Sequence, residues 1–241
     1  MIGIERDGAV AIIELQRDEA RNALNDEMVE KLQEAITTCA EESRVIVLCG
    51  QGKVFSAGAD LNQVFSEKFL ERLLELNHTI DSVPVPVIAA IHGAALGGGV
   101  QLALASDLRV VAPGTVFGIP AAKIGVTVDR WTIHRLMQLI GPGPARTMLL
   151  GLEPIFTDDA YRLGFANKIG TREDAIAWAH KIAELAPLSL AHMKMALNDD
   201  GTQDPEPAEQ RAALLRAWTS EDAQEGRRAR AEKRTPQFTG Q

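Results

Sequence analysis

The sequence predicts an α/β protein with a mostly parallel sheet, followed by a helical C-terminal region. Short, mostly apolar runs at residues 45–49, 87–91 and 108–112, the last of which contains Arg109, are typical of strands that are buried on both faces. Segments with the apolar spacing of amphipathic helices separate these runs, and the loops between them are short. From Trp131 onward the pattern becomes helical. An open sheet covered by helices explains all three observations.

The N-terminal segment is predicted to form a hairpin and then a capped helix. Apolar residues alternate on both sides of Asp7-Gly8, a dipeptide that favours a tight turn between two strands. After a polar loop, Asn25 can accept a hydrogen bond from the first turn of a helix, and two acidic residues follow it. Apolar residues then recur at helical spacing as far as Cys39.

Two more helices are predicted around the buried runs. One covers about residues 67–81, where leucines recur along one side. The other begins within Gly97-Gly98-Gly99, directly after a buried strand, and ends near Ala105. Both would cover the faces of the predicted sheet.

The C-terminal third is predicted to be a helical region attached to the α/β body. Thr171 and Asp174 have the spacing of a capping box at the start of a helix, and Pro187 can open another. Two further helices are expected before the C-terminus. We therefore expect an α/β core over residues 1–186 and a helical region over residues 187–241.

The apolar residues of this tail need a partner surface. Leu214, Leu215 and Trp218 have few apolar neighbours in the local sequence. Such a tail packs either on its own body or on a neighbouring subunit, and the sequence leaves both possibilities open.

Composition narrows the function classes. The 241 residues carry a net charge of -8, which argues against nucleic acid or an anionic membrane surface as the main partner. Cys39 and Cys49 are too few for a disulfide framework and are typical of a reducing compartment. No secretory signal opens the chain, and the most apolar segment, residues 87–105, contains His92 and Gln101. We expect a cytoplasmic globular protein without an integral membrane segment.

Two segments are candidates for a ligand site. Residues 53–61 follow one buried strand and residues 91–99 follow the next, and the carboxyl ends of parallel strands meet at one edge of a sheet. The second segment opens a helix, where unpaired N–H groups carry partial positive charge and glycine admits a ligand atom. Donors from both segments could polarise a carbonyl oxygen. Alternatively, the three glycines form only a tight turn.

Other kinds of site are not indicated. Neither segment fits G-x-G-x-x-G or the Walker pattern, so a nucleotide phosphate site is not expected. A serine hydrolase would need a G-x-S-x-G elbow, which the chain lacks. The five histidines do not have the spacing of metal ligands, so we expect no metal site.

Six motifs together carry a family resemblance. They are RNAL at 21–24, FSAGADL at 55–61, IHGAALGGG at 91–99, ASDLR at 105–109, FGIP at 117–120 and RL at 135–136. The combination resembles the crotonase superfamily, the enoyl-CoA hydratase/isomerase family, over nearly the whole chain. The resemblance implies a spiral of ββα turns with a C-terminal helical trimerisation region, assembled as a homotrimer or as a hexamer that is a dimer of trimers.

The resemblance also implies a fatty acyl-CoA ligand. Its thioester oxygen would lie between the backbone N–H groups of Ala59 and Gly98, an oxyanion hole. Coenzyme A would enter as part of the substrate, so no separate cofactor is implied. Further substrate-binding residues implied by the motif positions are Ala57, Asp60, Leu61 and Asn62 along the pantetheine and adenine path, with Ala20 and Arg21 beside the CoA phosphates.

The sequence departs from the family where catalysis would occur. Gln101 and Ala121, which would still line the substrate, stand where the family carries its two glutamates. Neither side chain is an acid or base near neutrality, so hydratase activity is expected to be crippled or absent. Asp129 aligns with an aspartate that moves protons in double-bond isomerases; alternatively it caps the next helix or pairs with Arg130. Trp131 lines an acyl tunnel or packs in the core.

Two hypotheses of function follow. MIGI at the N-terminus and LNDDG at 197–201 resemble a mycobacterial branch of the family associated with mycolic acid synthesis. That branch implies a non-catalytic acyl-CoA carrier that delivers its ligand to type II fatty acid synthase components. The second hypothesis is an active enoyl-CoA isomerase, or a weak enoyl-CoA hydratase, with Asp129 as its proton carrier.

Overall fold

The computed structural model describes residues 1–60, 67–199, 201 and 204–241. Within these residues the strands are β1 (Ile2–Asp7), β2 (Val10–Leu15), β3 (Val45–Gly50), β4 (Val87–Ile91), β5 (Ala94–Leu96), β6 (Leu108–Val111), β7 (Val116–Gly118), β8 (Ile155–Phe156) and β9 (Lys168–Ile169). The helices are α1 (Asp26–Glu42), α2 (Glu67–Ser82), α3 (Gly98–Ala105), α4 (Arg130–Ile140), α5 (Pro142–Leu150), α6 (Thr157–Arg162), α7 (Arg172–Ala183), α8 (Pro187–Asn198), α9 (Ala208–Thr219) and α10 (Glu221–Ala231).

The main sheet has six strands in the order β1-β2-β3-β4-β6-β9. β1 pairs with β2 in antiparallel fashion, and every other pairing in this sheet is parallel. A smaller sheet has the order β5-β7-β8. The expected α/β architecture with a mostly parallel sheet is therefore confirmed.

β3 and β4 are apolar throughout because helices cover both faces of the sheet, whereas β6 contains the buried Arg109. In β3, Ile46 and Leu48 belong to the core cluster that includes α1, whereas Val45 and Val47 belong to the cluster that includes α7. All four side chains are fully buried, and each contributes about 1.5–3 kcal/mol relative to an exposed position. Because both faces are packed in this way, the sheet is a rigid support for the loops that follow its strands.

Local sequence signals set several element boundaries as expected. The hairpin turns at Gly8, whose φ is +58°, between β1 and β2. The side chain of Asn25 accepts a hydrogen bond of 2.9 Å from the Met28 N–H at the start of α1. Thr171 and Asp174 form both hydrogen bonds of the predicted capping box at the start of α7. These predictions are confirmed.

The expectation of an almost entirely helical chain after Trp131 is wrong at two places. β8 joins the small sheet by pairing with β7, and β9 adds a parallel strand at the edge of the main sheet beside β6. The strand β5, between β4 and α3, was also not predicted. Each of these strands has only two or three residues, which is too short to show the alternation that identifies a strand.

The described part of the tail packs on its own chain. Lys194 of α8 is buried, forms an ion pair of 2.8 Å with Asp107 and donates to the Ile80 carbonyl at 2.9 Å. In α9, Leu214 is buried and the Trp218 indole N–H donates to the Thr127 carbonyl at 2.9 Å. The body of the same chain therefore contacts Leu214 and Trp218. The boundary between residues 186 and 187 stays a prediction.

The described ranges contain neither a helix suited to span a membrane nor a cluster of metal-ligating side chains. None of the helices there has both the length and the apolar content needed to cross a membrane. In the same ranges, no group of three or more histidine, cysteine or acidic side chains is placed to hold a metal ion.

Both thiols are expected to be unreactive in the folded protein. Cys39 and Cys49 are buried, and burial raises the pKa of both thiols, that of Cys49 to about 12. Because the thiolate is the nucleophile, neither thiol should react with DTNB at mildly alkaline pH until the protein unfolds. Titration with and without guanidinium chloride measures this, and rapid labelling of the native protein would contradict it.

Candidate functional site

Main-chain hydrogen bonds hold the loop after β3 against its neighbours. The Leu24 N–H donates to the Gly58 carbonyl at 2.7 Å, and the Asp60 N–H donates to the Leu24 carbonyl at 2.8 Å. On the other side, the Leu96 N–H donates to the Ser56 carbonyl at 3.0 Å. The loop after β3 is thus an irregular strand between residues 21–24 and β5.

Glycines allow this loop to approach the start of α3 closely. Gly58 has a φ of +89°, and a Cβ atom built on it would lie 2.5 Å from the Leu96 carbonyl oxygen. A Cβ atom on Gly99 would lie 2.7 Å from the Ser56 carbonyl oxygen. Backbone atoms cannot rotate away from such contacts. The glycines therefore do more than form a turn, because they bring the two predicted segments together.

The backbone N–H groups of Ala59 and Gly98 lie at this junction. Gly98 is the first residue of α3, and a Cβ atom built on it would lie 3.5 Å from the Ala59 nitrogen. Within the described part of the chain, neither N–H group has a hydrogen-bond acceptor. The first turn of a helix adds a partial positive charge to this position. The arrangement therefore suits an oxygen atom that accepts two hydrogen bonds.

A cavity of about 530 Å³ opens in front of these two groups. α2 provides an apolar wall, and α9 provides Leu214 and Trp218 on another side. The α2 residues in this wall are Phe69, Leu70, Leu73 and Leu74. Its size and apolar lining are those of a small-molecule site with a few polar groups for orientation.

Most of the predicted site residues line this cavity. They are Ala20, Arg21, Ala57, Ala59, Asp60, Gly98, Gln101, Ala121 and Asp129. Leu61 and Asn62 lie outside the described residues. Trp131 is a core residue, with its ring edge to face against His78 at a centroid distance of 6.0 Å, and is not among the residues that line the described part of the cavity. Of the two alternatives considered for Trp131, an acyl tunnel or the core, the described residues place it in the core.

Gln101 and Asp129 form a hydrogen-bond network at the cavity wall. The Gln101 Nε2 group donates to Asp129 Oδ2 at 2.9 Å and to Thr132 Oγ1 at 2.7 Å. The Thr132 hydroxyl in turn donates to Asp129 Oδ2 at 2.7 Å. The two hydrogen bonds that Gln101 Nε2 donates thus fix the orientation of its side chain.

Asp129 also caps helix α4. Its Oδ1 accepts a hydrogen bond of 2.9 Å from the Thr132 N–H, which is the capping alternative considered above. Arg130 instead donates to the Asp204 carbonyl at 3.3 Å. Both oxygens of Asp129 therefore already accept hydrogen bonds, and protonation of either would disturb this network.

The mouth of the cavity carries several charged side chains. Arg17 forms an ion pair of 2.8 Å with Asp60, and Arg211 forms pairs of 3.0 Å with Glu67 and 3.1 Å with Glu71. Two exposed arginines, Arg21 and Arg230, also line it. Motif reading missed Arg17, Arg211 and the α9 residues, because only the folded chain brings them to the mouth.

Asn22 is a positioning residue to which the sequence analysis assigned no role. Its side chain donates to the Gln51 carbonyl at 2.9 Å and the Val54 carbonyl at 3.0 Å, and accepts from the Arg17 N–H at 2.9 Å. Its φ of +53° is a conformation that asparagine tolerates better than most residues. Asn22 therefore fastens the loop after β3 to the neighbouring segment. Its place in the 21–24 motif was the available signal.

The chain is similar to known proteins over nearly its whole length. The model of the enoyl-CoA hydratase/isomerase family matches residues 5–241. A protein named probable enoyl-CoA hydratase echA6 from Mycobacterium leprae is 48% identical over 246 residues, covering 100% of both chains. A probable enoyl-CoA hydratase from Bacillus subtilis is 35% identical over 257 residues, covering 100% of this chain and 99% of its own.

Solved structures show the same fold. Methylmalonyl-CoA decarboxylase in complex with 2-nitronate-propionyl-CoA superimposes with a TM-score of 0.90 at 27% identity, covering 100% of this chain and 98% of that one. An enoyl-CoA hydratase/carnithine racemase from Magnetospirillum magneticum has a TM-score of 0.77 at 30% identity, covering 100% and 96%. The expected crotonase-like fold is confirmed. With a matching family model over almost its full length, the chain belongs to the enoyl-CoA hydratase/isomerase family.

Proposed function

We propose that this protein binds fatty acyl-CoA thioesters without hydratase activity and acts as an acyl-CoA carrier. One observation carries the proposal: the backbone N–H groups of Ala59 and Gly98, which have no acceptor among the described residues, face an apolar cavity in which Asp60 and Asp129 are already engaged. A thioester carbonyl oxygen accepts two hydrogen bonds, so it matches this pair of donors. The site therefore grips the ligand at its carbonyl group.

The cavity walls suit the rest of such a ligand. The acyl chain would lie against the leucines of α2, where each buried methylene group contributes about 0.8 kcal/mol. Affinity should therefore rise with chain length until the cavity is filled. At the mouth, Arg21 and Arg230 are exposed and available to the CoA phosphates, which guanidinium groups bind well.

The same cavity offers little to a hydration reaction. Adding water to a double bond needs one group that activates water and another that delivers a proton. Gln101 and Ala121 occupy the wall where the family resemblance places these groups. Of the carboxylates in the described lining, Asp60 is paired with Arg17, Asp129 accepts hydrogen bonds on both oxygens, and Glu19 is exposed at the mouth. Binding without turnover is the simpler use of this site.

The setting of the carrier is part of the proposal. The resemblance to a mycobacterial branch supports a role in fatty acid and mycolic acid metabolism in the cytoplasm. Type II fatty acid synthase components would receive the acyl group, and the protein would assemble as a homotrimer or as a dimer of trimers. Coenzyme A would enter only as part of the ligand.

The Gly98→Ala substitution tests the proposed hydrogen bonds to the thioester carbonyl oxygen. Its new methyl group would lie 3.0 Å from Leu24 Cδ1 and 3.5 Å from the Ala59 nitrogen, next to the place of the oxygen. We expect dodecanoyl-CoA to bind about 30-fold more weakly, as for the loss of about 2 kcal/mol. Isothermal titration calorimetry measures the change. Gly143→Ala is the control, because no atom lies within 4 Å of its Cβ position. Equal affinities for all three proteins, or no affinity for acyl-CoA, would refute the proposal.

The second candidate function is enoyl-CoA isomerisation or weak hydration through Asp129. It is favoured by the position of this carboxylate in the cavity wall beside Gln101. Turnover of 3-enoyl-CoA and of crotonyl-CoA is measured with the wild-type protein and with Asp129→Asn. The carrier function predicts no turnover by either protein. Turnover that disappears in Asp129→Asn would establish the enzyme instead.

A further inference from the structure

A group of buried polar atoms outside the described cavity lining has no hydrogen-bond partner among the described residues. The atoms are Nδ2 and Oδ1 of Asn77, Nε2 of His78 and Nε1 of Trp131. The Asn77 residue is fully buried and Trp131 is 3% exposed. A buried polar group left unpaired destabilises the fold, and native proteins leave few of them. Asn77, His78 and Trp131 therefore have polar atoms that could contact a polar group of a ligand.

Side chains of α2 and α4 meet at two places near these atoms. The rings of His78 and Trp131 meet with their centroids 6.0 Å apart. About one turn farther along each helix, Arg135 lies 3.8 Å from Asp81. Because the residue numbers rise together in both contacts, the two helices run in the same general direction here. The Asp81–Arg135 ion pair closes one end of the space between them.

The cavity lies at the other end of this space. Leu73 and Leu74 of α2 line the cavity, as does Asp129, the cap of α4. Asn77 follows Leu73 by four residues on the same face of α2, and Trp131 follows Asp129 by two. Along α2, Asn77 and His78 therefore lie between the leucines that line the cavity and Asp81 of the ion pair.

We propose that Asn77, His78 and Trp131 form a polar subsite at the end of the cavity, and that it binds a hydroxyl group on the acyl chain. The inference rests on the proposed binding of acyl-CoA. A hydroxyl group donates one hydrogen bond and accepts two, so it can donate to Asn77 Oδ1 while it accepts from Trp131 Nε1. A saturated chain would leave all of these atoms unpaired.

A charged group on the acyl chain suits the subsite less well. Arg135, one turn farther along α4 than Trp131, is already paired with Asp81 and donates to Asn198 Oδ1 at 3.2 Å. Burial lowers the pKa of His78, so its ring is neutral near pH 7. An isolated carboxylate would therefore lose its hydration without gaining a counter-charge. The expected ligand is a neutral, hydroxylated fatty acyl thioester.

Binding of hydroxylated ligands tests this subsite. Calorimetry with the full-length protein compares dodecanoyl-CoA with isomers that carry one hydroxyl group at successive carbons of the chain. We expect one isomer, or two adjacent ones, to bind at least about tenfold more tightly than dodecanoyl-CoA. The others should bind more weakly, because their hydroxyl groups lose hydrogen bonds to water against an apolar wall.

Two variants assign any preference to the subsite. Trp131→Phe keeps an aromatic ring and removes the N–H group, and Asn77→Leu removes both amide atoms. Each should reduce the preference to less than about threefold, with the affinity for dodecanoyl-CoA nearly unchanged. Leu139→Met, on α4 and outside the described cavity lining, should keep the preference.

The inference and the proposed function fail in different ways. If dodecanoyl-CoA binds and no isomer binds more tightly, the hydroxyl subsite is refuted while acyl-CoA binding stands. A preference that survives in both variants would also refute the subsite. If no thioester binds, both proposals are refuted. Circular dichroism melts confirm that the variants are folded, and the wild-type comparison decides even if one variant is not.

Discussion

Gln101→Glu is expected to lower the free energy of unfolding by about 3 kcal/mol at neutral pH. The substitution replaces a donor that lies 2.9 Å from Asp129 Oδ2 by a carboxylate oxygen. Two carboxylates at that distance cannot both be ionised, so the pair must take up a proton or move apart. The loss should therefore shrink in acidic solution, where one of the two is protonated. Unfolding in guanidinium chloride, followed by circular dichroism at several pH values, measures it.

A second substitution provides the matched control. With Asp129→Asn added to Gln101→Glu, the amide at position 129 can donate to the carboxylate at position 101, and asparagine still caps α4. The double variant should recover most of the lost stability, which would give a large coupling energy in the double-mutant cycle. Equal stability of wild type and Gln101→Glu would show that the network does not form as described.

Gly58→Ala is expected to abolish acyl-CoA binding and to destabilise the fold by about 3 kcal/mol. The residue has a φ of +89°, and its new Cβ atom would lie 2.5 Å from the Leu96 carbonyl oxygen. Relief of that contact requires the loop after β3 to move away from β5, which separates the N–H groups of Ala59 and Gly98. Calorimetry with dodecanoyl-CoA should show an affinity at least about 100-fold weaker.

Gly114→Ala separates the clash from the conformational strain. Gly114 has a φ of +76°, but no atom lies within 4 Å of its Cβ position. This variant should lose only about 1 kcal/mol of stability and keep its affinity for acyl-CoA. If both variants lost binding equally, the close approach of the two segments would not explain the site.

Local signals predicted those elements whose boundaries depend on neighbouring residues. Asn25 caps α1 and Thr171 opens α7, because capping needs only residues a few positions apart. The continuous apolar run of β3 also predicted its burial on both faces. In contrast, β5 has three residues, and its pairing with β7 depends on contacts distant in the sequence.

The candidate site was predictable to the extent that it is built from motifs. The convergence of Ala59 and Gly98 follows from two loops that leave the same edge of a parallel sheet. The contribution of Trp218 was not predictable, because it depends on how α9 folds back over the cavity. Asp129 both caps α4 and lines the cavity, so the two alternatives considered for it were not exclusive.

The paired donors at Ala59 and Gly98 belong to the main chain, which has a consequence for the evolution of this scaffold. Most substitutions exchange side chains and leave peptide groups in place. Recognition of the ligand can therefore persist through mutations that remove reactive side chains from the surrounding walls. Such a scaffold can evolve from an enzyme into a binding protein in few steps. Peptide groups bind the ligand, whereas side chains carry out the reaction, so the second can be lost without the first.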